Sequence, residues 1–353
     1  MDKIIGKELL EIVGRENISA EYEDRICYAY DATFKDSLPD VIVKPGTTEE
    51  VAKILKLANQ YKIPVTPRGA GTGLSGGSVP INGGISLVLT RLNKILKIDV
   101  QNRSALVEPG VITEDLQTAV EEKGLLYPPD PASKKISTLG GNVAEGAGGP
   151  RGVKYGVTKD YVLGLEVVLP QGDIIKINNS VDGETEDFDY TMLFTASEGT
   201  LGIITKIAVK LILPPQYQET VLAAFDNLEH AGETVSAIIR AGIIPTTLEI
   251  IDQETIRAVE NYLHTGLPTD AAALLLIEVD GAELEVKRQS AEVAKICNLA
   301  SRNVKVASTK QEIDKLWQAR RSISGACGML KPTKLSEDAT VPRSKIPQMI
   351  KEI

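Results

Sequence analysis

Two stretches almost bare of side chains limit this chain more than any other feature. Arg68-Gly-Ala-Gly-Thr-Gly-Leu-Ser-Gly-Gly77 places five glycines in ten residues, and a second glycine-rich stretch runs from Thr138 to Gly156. At that density both read as loops. The first follows a β-α-β opening. Val41-Ile42-Val43 is a strand ended by Pro45-Gly46, and Thr47 and Glu50 stand at capping-box spacing. Val51, Ile54, Leu55 and Ala58 then recur at helical intervals, and Ile63–Thr66 is the next strand.

Gly71-Thr-Gly-Leu-Ser-Gly76 has the form GxGxxG. A nicotinamide-dinucleotide fold would need a helix directly after it and a carboxylate about 20 residues on to hold a ribose. Here Val79-Pro80 and Asn82-Gly83-Gly84 lead into another turn, and the next carboxylate is Asp99. What remains is a row of backbone N–H groups that small residues let a ligand approach, the arrangement that nests a pyrophosphate. Arg68 would add a positive charge. A tight structural turn explains the first loop equally well when it is taken alone. Thr138–Gly149 supplies a second bare-backbone surface, and two such surfaces can clasp one extended ligand. A dinucleotide with a flat isoalloxazine head is of that kind.

Further along, Ile85–Leu89 and Ala105–Glu108 are predicted strands, and Thr113–Lys123 is a predicted helix stopped by Gly124. Leu165–Leu169 and Ile174–Ile177 flank a Pro170-Gln171-Gly172 turn, a hairpin signal, and Ile203–Leu213 is a long strand. Pro214-Pro215 is the expected boundary, dividing the chain into domains 1–213 and 214–353. Beyond it helices (Leu228–Ala241, Leu284–Leu299, Gln311–Ser322) alternate with strands such as Leu274–Val279, an α+β pattern.

Composition excludes several functions. With 39 Lys+Arg against 48 Asp+Glu, the net charge of −9 lacks the basic footprint of a nucleic-acid binder. Cys27, Cys297 and Cys327 lie far apart, so no zinc ribbon or sequence-local iron–sulfur cluster has ligands. The apolar run Ala271–Val279 is far shorter than the roughly 20 residues needed to span a bilayer. The expectation is a soluble, cytoplasmic protein with no transmembrane segment and no nucleic-acid partner.

Several further motifs follow in order: Pro67–Gly77, Val107-Glu-Pro-Gly110, Pro128-Pro-Asp-Pro131, Thr138-Leu-Gly-Gly-Asn-Val-Ala144, Gly148-Gly149 before Lys154-Tyr-Gly156, Leu163–Val168 and Ser197–Thr205. Together they resemble those of the FAD-linked oxidase family with a vanillyl-alcohol-oxidase or PCMH-type FAD-binding domain, in the branch of glycolate oxidase catalytic subunits and D-lactate dehydrogenases. The resemblance implies an α+β protein: a two-subdomain PCMH-type FAD-binding domain, then an α+β cap or substrate domain that is C-terminally incomplete. It implies that Arg68, Gly69, Ala70, Gly71, Thr72, Gly73, Ser75, Gly76, Gly77 and Ser78 cradle the FAD pyrophosphate. It places Pro109, Gly110, Thr138, Gly140, Gly141, Asn142, Ala144, Gly148, Gly149 and Gly156 around the flavin. Glu198, Gly199, Ile203 and Ile204 fall near the adenosine or ribityl portion. Relatives with covalent flavin use a His or Cys near the glycine loops. His230 and His264 follow the boundary and Cys27 precedes the first loop, so FAD is expected to be held non-covalently.

In the second domain Thr309 and Glu312 form another capping-box pair, and Ile313, Leu316, Trp317 and Arg320 share a helix face. An arginine on such a face must snorkel, meet a carboxylate of the protein, or meet a carboxylate of a ligand. The resemblance gives Arg320 to the substrate carboxylate, with Ser324 as companion and Lys334 the nearest match to the family's lysine. The family continues into a His-x6-His pair and an acidic partner that bind a divalent metal, whereas this chain ends at Ile353 before any such motif. A metal is expected only if such a region exists. Either the C-terminal part is missing or this is a shortened relative. The implied activity is oxidation of a small D-2-hydroxy acid, D-lactate or glycolate, by hydride transfer to flavin N5. Electrons would pass to a separate acceptor: an electron-transfer flavoprotein, an iron–sulfur subunit or a quinone. The alternative is a flavin-binding electron-relay or assembly subunit without substrate chemistry of its own.

Overall fold

Thr47 begins the helix Thr48–Tyr61 as its spacing to Glu50 predicts. The threonine hydroxyl accepts from Glu50 N at 3.1 Å, while Glu50 Oε2 accepts from Gly46 N at 2.7 Å. That satisfies two N–H groups at the helix start, and Val51, Ile54, Leu55, Leu57 and Ala58 form its buried face. The structure, a computed structural model, describes residues 3–33, 35–177, 189–331 and 338–352. It divides into two units, Met1–Gly149 with Gly156–Pro214, and Pro150–Tyr155 with Pro215–Ile353.

The first unit contains two sheets. One has strands β1 (Ile18–Ser19), β2 (Val41–Val43), β3 (Val65–Arg68) and β4 (Ile85–Val88) in the order β1-β2-β4-β3. Both β2 and β3 run parallel to β4, which the intervening helix Thr48–Tyr61 permits. The other sheet is antiparallel: β5 (Ile95–Asp99), β6 (Ser104–Val107), β7 (Val162–Val168), β8 (Ile174–Ile177) and β9 (Ile203–Lys210), in the order β5-β6-β9-β7-β8. The β7–β8 hairpin forms where the Pro170-Gln171-Gly172 turn predicts, closed by Leu169 N on Asp173 O at 2.8 Å. Buried Glu166 on β7 ties its sheet to the start of the helix Thr48–Tyr61. It accepts from Thr48 Oγ1 (2.8 Å), Thr205 Oγ1 (3.0 Å) and Lys206 Nζ (3.0 Å). Burial, the largest single influence, acts to raise its pKa; the bonds from Lys206, Thr48 and Thr205 outweigh it and hold the carboxyl below the ordinary glutamate range.

The second glycine-rich stretch departs from expectation. Thr138–Gly149 is not a loop throughout: Leu139–Glu145 is a helix, with Thr138 Oγ1 accepting from Gly141 N and Gly146 ending it in the left-handed region. Leu139 and Val143 anchor it in the core.

The second unit is a four-stranded antiparallel sheet, β10 (Tyr217–Phe225), β11 (Thr247–Asp252), β12 (Ala273–Gly281) and β13 (Asn303–Ala307), in the order β11-β12-β10-β13. Alternation along β10 sends Val221, Ala223 and Phe225 toward helices Leu228–Arg240 and Glu283–Cys297. Leu276 and Ala307 pack with Ile313 and Trp317 of the helix Lys310–Arg321. The architecture is α+β, as the sequence predicts. Among the described residues no helix is long and apolar enough to cross a membrane.

Candidate cofactor site

Three segments of the first unit enclose one cleft: the loop after β3, the helix Leu139–Glu145 with its Thr138 cap, and the turn leading into β9. Its walls include Arg68–Gly73, Gly77, Ser78, Thr138, Gly140, Gly141, Asn142, Ala144, Glu198, Gly199, Ile203 and Ile204. The two glycine-rich stretches therefore face one space. They also touch, since a Cβ on Gly69 would collide with Thr138 Oγ1. The third wall is fastened to the helix by Ala196 N on Val143 O (2.9 Å) and Glu198 N on Ala144 O (2.8 Å). Counted with the solvent at its open mouth, the cleft takes in about 950 Å³.

Arg68 shows how the first loop is held. Its Nη1 donates to Tyr30 O at 2.6 Å and lies 3.4 Å from Ser78 Oγ, and its guanidinium stands 5.6 Å from the Tyr28 ring. Gly71 lies directly over it: with φ +71 and the guanidinium where a Cβ would project, only glycine fits. Arg68 is 6% exposed, and among the described residues no carboxylate comes within ion-pair distance of it. Burial pushes its pKa down, opposed by the more distant Asp31. Such a cation is stabilised by an anion placed above it. The backbone adds to this, because none of the N–H groups from Gly69 to Ser78 donates to another described residue. An amide row over a buried cation fits a diphosphate, so the residues present suit FAD.

The structure redistributes the remaining residues. Ser75, Gly76, Pro109, Gly110, Gly148, Gly149 and Gly156 do not line the cleft. Close packing explains two of them: a Cβ on Gly110 would meet Leu89 O and Leu92 O at 2.6 Å, and one on Gly149 would meet Asp130 O at 2.5 Å. Sequence reasoning missed Leu89, Ser133, Glu145, Ala147 and Gly202, all on the wall. Glu145 directly follows a quoted motif, but its contact, Ser75 Oγ donating to Oε2 at 2.5 Å, spans 70 residues.

In the second unit, Thr309 caps the helix Lys310–Arg321, and Trp317 Nε1 donates to the buried Glu278 Oε2 at 2.7 Å. Arg320 meets a carboxylate of the protein: Nε and Nη2 each lie 2.9 Å from Glu249 Oε2 on β11. Ser324 is exposed on the helix Ile323–Leu330, and Lys334 lies outside the described residues. Lys154 and Tyr155 belong to this unit and both bond the Asp280 carboxylate, Tyr155 OH at 2.9 Å from Oδ2. Among the described residues no group of three or more His, Cys, Asp or Glu is arranged to hold a metal.

Residues 39–178 match the family described as FAD binding domain, and residues 214–353 the one described as FAD linked oxidases, C-terminal domain. The glycolate oxidase subunit GlcD of Bacillus subtilis (strain 168) is 48% identical, the match covering 99% of this chain and 75% of that protein. A D-lactate dehydrogenase of Anaerostipes hadrus is 37% identical over 90% of this chain and 69% of its own length. A solved structure of p-cresol methylhydroxylase with substrate bound has the same fold, with a TM-score of 0.76 at 20% identity over 91% of this chain and 68% of that one. With both matched regions and full-length similarity at this level, the chain belongs to the FAD-linked oxidase family of flavin-dependent oxidoreductases.

Proposed function

We propose that this chain oxidises a small D-2-hydroxy acid of lactate or glycolate size and hands the electrons to a separate acceptor. The observation that carries the reading is the amide-lined cleft over Arg68 in a chain 48% identical to a glycolate oxidase subunit. Arg68–Ser78, with Thr138–Asn142 and Ala144, would hold the cofactor. FAD, when bound, supplies a two-electron acceptor at its isoalloxazine ring.

Arg320 is the candidate for the substrate carboxylate. A guanidinium carries five N–H donors in a rigid fork, more than the one oxygen of Glu249 engages, so it can serve a second carboxylate and thereby fix the α-carbon. Ser324 and Lys334 are proposed as its companions. That the relatives include a protein named as a subunit supports a separate partner as acceptor.

The Arg320–Glu249 pair also favours a second reading, because an arginine already satisfied by its own chain suits an electron-relay or assembly subunit. Anaerobic mixing of the FAD-loaded protein with D-lactate and with glycolate decides between them. Bleaching of the flavin band is expected, and its loss in Arg320→Ala with FAD retained. No bleaching with any 2-hydroxy acid would leave the relay reading.

A further inference from the structure

We propose that Glu145 is a resident like charge beside the diphosphate seat, an affinity-setting residue whose carboxylate stands over the amide row and must give way when the cofactor binds. The inference rests on the cleft's being the FAD site. Glu145 is the last residue of its helix, with Gly146 turning the chain out in the left-handed region. A carboxylate at that end faces the negative pole of the helix, so the helix itself gives no reason for an acid there. Its partner belongs to the facing loop, just outside the cleft wall: Oε2 accepts from Ser75 Oγ at 2.5 Å. Oε1 stands 2.7 Å from where a Cβ of Gly77 would sit and 3.7 Å from that of Gly73. Among the described residues no lysine or arginine pairs with Glu145. The carboxylate thus lies over backbone that donates no hydrogen bond to other described residues.

None of these amides donates to the carboxylate, so a diphosphate seated on them meets a like charge beside its donors, and the two repel at short range. Glu145 therefore weakens and slows cofactor capture while keeping the loop ordered in its absence.

The test is FAD titration of the deflavinated full chain, followed by quenching of flavin fluorescence, with circular dichroism as the fold control. Glu145→Gln keeps the shape and the Ser75 contact but removes the charge. At an effective dielectric near 20 a like-charge repulsion is worth roughly tenfold even at about 12 Å, so at least tenfold tighter binding is expected. Association should also be faster at low salt and less sensitive to added salt. Glu145→Ala should move the same way. Equal or weaker FAD affinity in both folded variants overturns the proposal. Gly73→Val is the separate control for the seat: its side chain projects toward the cleft without requiring a left-handed backbone, and it should abolish binding. If that variant binds FAD as the native protein does, the cleft assignment fails instead, whatever Glu145→Gln shows.

Discussion

The two proposed anion sites of this protein are made of opposite materials. In the first unit the donors are backbone amides, with one buried arginine beneath them; in the second the donor is a single side chain, Arg320, on a helix face. Yet each has a carboxylate of its own chain beside it, Glu145 bonded to Ser75 and Glu249 to Arg320. The difference lies in what each site tolerates. A backbone seat is specified by the absence of side chains, so almost any added atom damages it. A side-chain seat depends on one group and on whatever shares it.

The largest effect expected from this contrast is at Gly71. Gly71→Val forces a β-branched residue to φ +71 and into the Arg68 guanidinium, and should weaken FAD binding by roughly a hundredfold or more. Fluorescence titration measures this, and near-native FAD affinity would show that the loop is not the seat. Next comes Arg320→Ala. On the proposed reading it loses charge-assisted bonds of about 2 kcal/mol, roughly thirtyfold in hydroxy-acid affinity, without changing FAD affinity. Glu249→Gln should tighten hydroxy-acid binding severalfold by removing the competing charge; weaker binding would make Glu249 an orienting residue instead.

The scaffold of the first unit comes third. Glu166 has a depressed folded-state pKa, so its contribution is present above the unfolded value near 4.3 and is lost as pH falls through the folded value. Glu166→Gln should lower stability by about 1.5 kcal/mol at neutral pH and by much less in acid, measured by urea unfolding at both. The smallest effect is at Thr138→Ala, which removes a helix cap and should cost about 1 kcal/mol.

What was legible in the sequence follows the same contrast. The opening strand-helix-strand, the Thr47 cap and the β7–β8 turn are local, and their residues state their own geometry. The glycine runs announce bare backbone but not what approaches it. The glycine density predicts a loop at Gly140, yet it sits in a helix, where a Cβ would meet that of Pro109 at 2.5 Å. There the missing side chain serves chain packing as well as the cleft. Glu145–Ser75, Arg320–Glu249 and Lys154–Asp280 join residues 70, 71 and 126 positions apart. Neither hydrophobic period nor spacing carries such pairs, because each is decided only when distant strands and helices have packed.

Pro150–Tyr155 has a practical consequence for anyone dissecting the molecule. These six residues sit inside the first half of the chain but fold with the second, bonded by Lys154 and Tyr155 to Asp280. A stop codon after Pro214 would strip both side chains of their carboxylate partner, and a fragment starting at Pro215 would expose Asp280 in return. Excising either half intact would take three breaks in the polypeptide rather than one.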